Sequence, residues 1–144
     1  NKVRALVYLD AFLPIDGQSL FDINIAANNQ KFLDGAGAIG GLAVPPPPAA
    51  YFNVNKDDAA RVDALATPFP LGCFSEKLKL TGAHKKIAKH IYVHSTVLPR
   101  QSPFKPFYDR VNGDPAWQAH TLPCGHDGML DLPAETAAIL ESAL

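Results

Sequence analysis

The stretch Arg4-Ala5-Leu6-Val7-Tyr8-Leu9-Asp10 is mostly apolar at consecutive positions, not at alternate ones. A strand with one wet face alternates, whereas a strand covered on both faces reads as a continuous apolar run. This stretch therefore predicts a strand buried inside a mostly parallel sheet, with a neighbouring strand along each side. An edge position would leave such a strand with unpaired amides and carbonyls open to aggregation. A partner segment is accordingly expected to pair along residues 4–9.

After this strand, Ala11-Phe12-Leu13-Pro14-Ile15-Asp16-Gly17 reads as a turn through its proline and its Asp-Gly pair. A long excursion follows, over residues 18–79. Helical patterns at residues 20–33 and 57–66 are separated by a glycine cluster at residues 35–41 and by Pro45-Pro46-Pro47-Pro48. Asp57 and Asp58 suit a helix N-terminus. A mostly helical insertion between two strands is expected to act as a lid over a pocket. Within it, Gly35-Ala36-Gly37-Ala38-Ile39-Gly40 matches the spacing of dinucleotide-binding loops. That motif must follow a buried strand and open a helix; here it follows polar Asn28-Asn29-Gln30-Lys31 and runs into the prolines. It is read as a flexible glycine loop, and no cofactor is expected.

Regular order returns with a strand at residues 89–94 and a loop at residues 97–101. Ser102-Pro103 then signals a helix start, with Phe104, Phe107, Tyr108 and Val111 on one apolar face. Residues 117–122 predict the next strand. Asp131 and Pro133 open a last helix in which Ala137, Leu140 and Leu144 are expected to pack on the sheet. The order is strand, insertion, strand, helix, strand, loop, helix, which is half of an open α/β sheet.

With 144 residues, 47% hydrophobic and 19% charged, the chain has the composition of one globular domain. Its net charge of −1 gives no electrostatic case for nucleic acid or an anionic membrane as partner. No uninterrupted apolar run is long enough to cross a bilayer, and the first residues read as strand, not as a secretory leader. Cys73 and Cys124 lack disulfide-framework and metal-ligand spacing; reduced thiols fit, and with them a cytoplasmic location.

The last strand leads into Leu122-Pro123-Cys124-Gly125-His126-Asp127-Gly128-Met129. Glycines on both sides of His126 allow a sharp turn and leave room beside an imidazole that can trade protons near neutral pH. The same pattern also suits an ordinary loop histidine. His90 and His94 are four apart and could share a strand face, but no third ligand is spaced to join them, so no metal site is expected. His84 and His120 read as surface residues. Phe12, Phe69, Phe74 and Met129 are candidates for an apolar substrate pocket, and equally for core packing.

Through Val7-Tyr8-Leu9-Asp10-Ala11-Phe12-Leu13-Pro14, Thr67-Pro68-Phe69-Pro70-Leu71-Gly72, Ser102-Pro103-Phe104 and Leu122-Pro123-Cys124-Gly125-His126-Asp127, the chain resembles the C-terminal half of an α/β-hydrolase. The likeness is greatest to the small esterase-like and hydroxynitrile-lyase-like branch, and it covers nearly the whole chain. It implies the last three core strands at residues 1–17 and 80–144, with a mainly helical cap at residues 18–79. His126 falls on the family's catalytic histidine.

The family's nucleophile, a serine in G-x-S-x-G, is absent: Gly17-Gln18-Ser19-Leu20-Phe21 has only its first half and follows the wrong strand. Ser75, Ser95, Ser102 and Ser142 have no such setting. Residues 85–108 contain no Asp or Glu, so the family's common acid position is vacant. Asp10 takes the alternative position after the family's sixth strand, though it could also cap its own turn. Asp127 adjoins His126, but neighbouring side chains in a turn diverge; Asp16 is a third choice. The expectation is a serine hydrolase cleaving a small ester or lactone, with His126 and Asp10 here and the serine in an upstream half outside these residues. A hydroxynitrile-lyase-like enzyme and a hydrolase-like binding or receptor protein without chemistry stay open as alternatives.

Overall fold

The computed structural model describes residues 3–98 and 101–144. Of the loop expected at residues 97–101, Pro99 and Arg100 lie outside that set. Three strands, β1 (Ala5–Leu9), β4 (Lys89–Ser95) and β5 (Gln118–Leu122), form a parallel sheet in the order β1-β4-β5. Leu9 pairs with Val93, and Ser95 with Leu122, so the carboxyl ends of all three strands lie side by side.

The central strand β4 supplies most of the core. Ile91 and Val93 face a cluster with Leu122, Cys124 and Ala143, against which Val7, Leu9, Leu132 and Ile139 pack. Tyr92 points the other way, into Leu13, Phe107 and Val111 with Tyr8, Phe12 and Trp117 around them. Two helices cover these faces: α6 (Lys105–Val111) on the Tyr92 side and α8 (Pro133–Ser142) on the Ile91 side. Period-two side chains on β4 thus feed both layers, which is why consecutive Ile91, Tyr92 and Val93 are all buried. The helix signal at Ser102-Pro103 is realised two residues later, with the Ser102 hydroxyl accepting the Phe104 amide at 3.1 Å. Pro106 sits in the first turn, where its missing donor leaves no helical bond unmade.

The packed face of α8 differs from the expected one. Ile139 and Ala143 meet the sheet and the Thr136 hydroxyl donates to the Gly128 carbonyl at 2.9 Å, while Leu140 is 45% and Leu144 86% exposed. That hydroxyl ties α8 to α7 (Gly128–Asp131) and sets the helix's rotation, which leaves Ala137 outward.

Among the described residues β1 pairs only with β4, although both of its faces are partly covered and its apolar run calls for a second neighbour. The expected partner along residues 4–9 is not supplied by the described residues.

Between β1 and β4 the chain forms α1 (Leu20–Ile23), α2 (Ala26–Ala38), β2 (Ala43–Val44), α3 (Ala49–Phe52), α4 (Ala59–Leu65), β3 (Phe69–Pro70) and α5 (Gly72–Ser75), then a 3-10 turn at Ala83–Lys86. Gly17 and Leu78 bring the entry and exit together: the Gly17 amide donates to the Leu78 carbonyl at 2.8 Å, and the Leu78 amide to that of Gln18 at 2.9 Å. The Asp16 carboxylate accepts the Leu80 amide at 2.7 Å. Gly17 adopts φ 82°, which an L side chain rarely takes and which the Asp-Gly pair foretold.

Two expectations for this excursion need correction. The helical pattern at residues 20–33 is broken at Asn24, where the Asn29 side chain accepts from Asn24 Nδ2 at 2.9 Å and donates to the Phe21 carbonyl at 2.7 Å, closing α1. The glycine stretch is not a loop, since α2 runs through Gly35 and Gly37 and stops only at Gly40 and Gly41, which have φ 98° and 82°. Pro45 packs where a Gly35 side chain would stand, its Cγ 3.1 Å from that position. Tertiary contact there offsets glycine's poor helix propensity.

Candidate active site

Asp10 follows β1 directly with φ 41°, an uncommon conformation for a residue with a side chain and one that clusters at functional positions. Its amide still donates to the Val93 carbonyl at 2.7 Å, so the backbone stays tied to β4 while the carboxylate turns beneath the strand ends. That carboxylate is 1% exposed and uses both oxygens. Oδ1 accepts the Ser95 amide at 3.1 Å and lies 3.0 Å from His94 Nδ1; Oδ2 lies 2.8 Å from His126 Nδ1. Burial alone would raise its pKa, but the bonds from His126 and His94, the charge of His126 and the Ser95 amide outweigh it and hold the carboxyl below its ordinary range. Asp10 is therefore an ion held by donors, not a cap on its own turn.

An ionised carboxylate only accepts, so both imidazoles donate through Nδ1, and His126 keeps Nε2 as its accepting nitrogen. The His126 ring is clasped between Phe52, 5.2 Å away and inclined 24°, and Phe104, 5.0 Å away and inclined 11°. Its amide donates to the Phe52 carbonyl at 2.8 Å. Ring plane and loop are thus both fixed, which is what a proton-transfer group requires.

The glycines beside His126 serve a purpose other than a sharp turn, because neither takes a positive φ. A Cβ on Gly125 would stand 2.3 Å from the Asn53 carbonyl oxygen and 2.7 Å from that of Phe52. The insertion's backbone occupies the space that the missing side chain leaves. Asp131 completes the junction: Oδ2 accepts the Gly125 amide at 3.0 Å, while Oδ1 accepts the Asn55 amide at 3.1 Å and its side-chain amide at 3.0 Å. Asp127 does not bond His126; burial pushes its carboxyl up, against the lowering effect of His126 and with Asp131 and Asp10 adding to the rise.

His126 and Asp10 border a cavity of about 450 Å³ between the strand ends and the insertion. Phe12, Phe69 and Phe74 line it, with Phe32, Phe52, Phe104 and Pro45 to Pro47. Phe74 gathers Phe21, Phe32 and Phe69 at centroid distances of 6.0, 5.2 and 5.8 Å. Met129 is not among the lining residues: it lies on α7, 48% exposed, because that helix turns its side chain away from the cavity. Among the described residues no His, Cys, Asp and Glu group is arranged to hold a metal.

No described serine bonds the imidazole. Ser19 caps α1 in a reciprocal bond with Asp22, Ser95 lies 3.8 Å from Cys124 Sγ, and Ser102, Ser75 and Ser142 bond nearby backbone. Sequence reasoning paired His126 with Asp10 but missed three contributors: His94, the Phe52 clasp and the Asp131 clamp. His94 could have been suspected from its place at the carboxyl end of a parallel strand, where open α/β sheets put their sites. His120 is not a simple surface residue either, since its Nε2 is buried without a partner.

No protein-family model matches the chain. An extracellular α/β-hydrolase from a Paenibacillus species, described as sharing structural and functional homology with Tobacco Salicylic Acid Binding Protein 2, has the same fold with a TM-score of 0.75 at 23% identity, over 97% of this chain and 61% of that one. The strand order, the helical insertion and this likeness give the chain the fold of part of an α/β-hydrolase. Its esterase-like relatives include the carbendazim hydrolyzing esterase of Nocardioides sp. (strain SG-4G), 35% identical over 145 residues, an alignment covering 94% of this chain and 59% of that protein. The chain thus spans about three fifths of the length of these relatives.

Proposed function

We propose that residues 1–144 carry the acid–base portion of a serine hydrolase that cleaves a small ester or lactone, and that its nucleophile lies outside these residues. The observation that supports this most is the 2.8 Å contact between Asp10 Oδ2 and His126 Nδ1 at the edge of an apolar cavity. His126 takes the proton of the attacking hydroxyl on Nε2 and later gives it to the leaving alcohol. Asp10 holds the tautomer and stabilises the imidazolium between those steps. The serine and the oxyanion donors come from an upstream segment that pairs along β1, where the described residues leave one side of the sheet unpaired. The aromatic lining favours an apolar acyl or aryl group, and residues 18–79 act as the cap that closes over it. An esterase-like relative whose name records carbendazim hydrolysis agrees in reaction type.

The test is turnover of a short-chain aryl ester by the complete protein and by its His126→Ala variant. A loss of about 10⁴-fold or more, with the circular dichroism and melting curve retained, is expected. Near-normal turnover in the folded variant overturns the assignment; tight ligand binding with no turnover in either protein points to a binding protein that kept the pocket.

A further inference from the structure

We propose that His94 is a positioning residue that sets how much of the Asp10 charge reaches His126, an inference that rests on the proton-transfer role just given to His126. His94 is 6% exposed, and its Nδ1 is 3.0 Å from Asp10 Oδ1. Its ring leans on Tyr108 of α6, 5.5 Å away and inclined 35°. Together with the Ser95 amide, it occupies one carboxylate oxygen and leaves the other to His126. A buried imidazole that makes this bond from the middle of the sheet is more than packing, because any apolar residue would fill the same volume.

Two consequences follow from sharing one carboxylate. Mechanically, the carboxylate plane is held at Oδ1, so Oδ2 cannot swing away from His126. Electrostatically, each donor to Asp10 disperses its charge and weakens its pull on a protonated His126. Removing the His94 donor concentrates that charge on His126 and moves its protonation to higher pH. A protonated His94 would act in the same direction by repulsion, so the sign does not depend on its charge. Other titratable groups around the pair are Tyr92, whose hydroxyl donates to the Ala11 carbonyl at 2.5 Å, and Tyr108, Cys124, Asp127 and Asp131. Asp127, on the histidine loop, and Asp131, on α7, are both unchanged by a substitution at residue 94.

The distinguishing variants are His94→Asn and His94→Gln. Asparagine places its amide nitrogen where Nδ1 stands and keeps the donor; glutamine reaches past that point and loses it. In the complete protein, the His126 ring resonances are followed by NMR across pH, with His126→Ala for assignment, and kcat/KM for an aryl ester is recorded in parallel. His94→Gln is expected to raise the His126 midpoint, and the acid limb of kcat/KM with it, by about half to one pH unit, the scale of one hydrogen bond to a charge. His94→Asn is expected to stay within about 0.2 unit of wild type. If glutamine is not tolerated, His94→Ala lacks the same donor and is read the same way. Equal midpoints in all variants, or asparagine moving as far as glutamine, overturn the proposal. Midpoints that move as expected in a protein without ester turnover remove the hydrolase reading and leave the coupling; turnover with static midpoints does the reverse.

Discussion

The carboxyl ends of β1, β4 and β5 and the insertion that covers them are built on different plans. At the sheet end, geometry comes from strand register: once Leu9 pairs with Val93 and Ser95 with Leu122, Asp10, His94 and the loop to His126 are brought together. In the insertion, helices of four to thirteen residues are closed by individual contacts: the Ser19–Asp22 capping box, the Asn24–Asn29 pair, and the Ala49 amide on the Asp63 carboxylate at 2.6 Å. Short helices gain little from propensity and depend on such bonds. The contrast teaches where each part tolerates change. The two plans meet at Gly125, Phe52 and Asp131, and a substitution there is felt by both.

The largest expected effect is at the sheet end. Asp10→Asn should cost about 10⁴-fold in kcat for ester hydrolysis by the complete protein, since the amide cannot stabilise an imidazolium. It should also change acid stability. A carboxyl whose folded pKa lies below its unfolded value contributes stability that is present above the ordinary aspartate range and lost as pH falls through the folded pKa. Wild type should therefore lose stability on acidification below roughly pH 4, and Asp10→Asn should show a flatter profile in that window by chemical denaturation. A variant as acid-sensitive as wild type would show that Asp10 is not the stabilised ion.

Next comes the junction. Gly125→Ala forces a Cβ into two backbone carbonyls that cannot move independently, and about 3 kcal/mol of destabilisation, or failure to fold, is expected in urea titration. A cost below roughly 1 kcal/mol would mean that the insertion does not rest on the histidine loop.

Inside the insertion the sign reverses. Gly37 lies in α2 with open space around its Cβ position, so Gly37→Ala should stabilise by about 0.5–1 kcal/mol through helix propensity alone. Loss of stability would show that the α2 end is not helical in solution. The smallest effect is expected at Met129, where replacement by Ala should leave KM for an aryl ester within about twofold, because the side chain is outside the cavity.

The same division explains what the sequence revealed. The continuous apolar run of β1 announced a strand of a parallel sheet, and Gly125-His126 after β5 announced the loop, because period and punctuation are local signals. Asp10 could be paired with His126 from chain order and from the want of carboxylates at residues 85–108. What stayed hidden depends on contacts distant in sequence. Glycines in α2 read as a loop because Pro45, which packs against Gly35, has no signature in the helix itself. The outward face of α8 was mistaken for the inward one because the Thr136 bond to Gly128 sets its rotation. His94 was weighed only as a metal ligand, since a histidine that shares a carboxylate with another 32 positions away carries no spacing rule.

The most direct test of the central claim, that Asp10 and His126 serve a nucleophile supplied from outside residues 1–144, is covalent labelling. The complete protein is treated with an aryl fluorophosphonate, which reacts with an activated serine, and the modified residue is located by peptide mass spectrometry. The label is predicted on one serine upstream of residue 1, with labelling reduced by about 10³-fold or more in His126→Ala. A label on Ser19, Ser75, Ser95, Ser102 or Ser142, or labelling as fast in His126→Ala as in wild type, would contradict it.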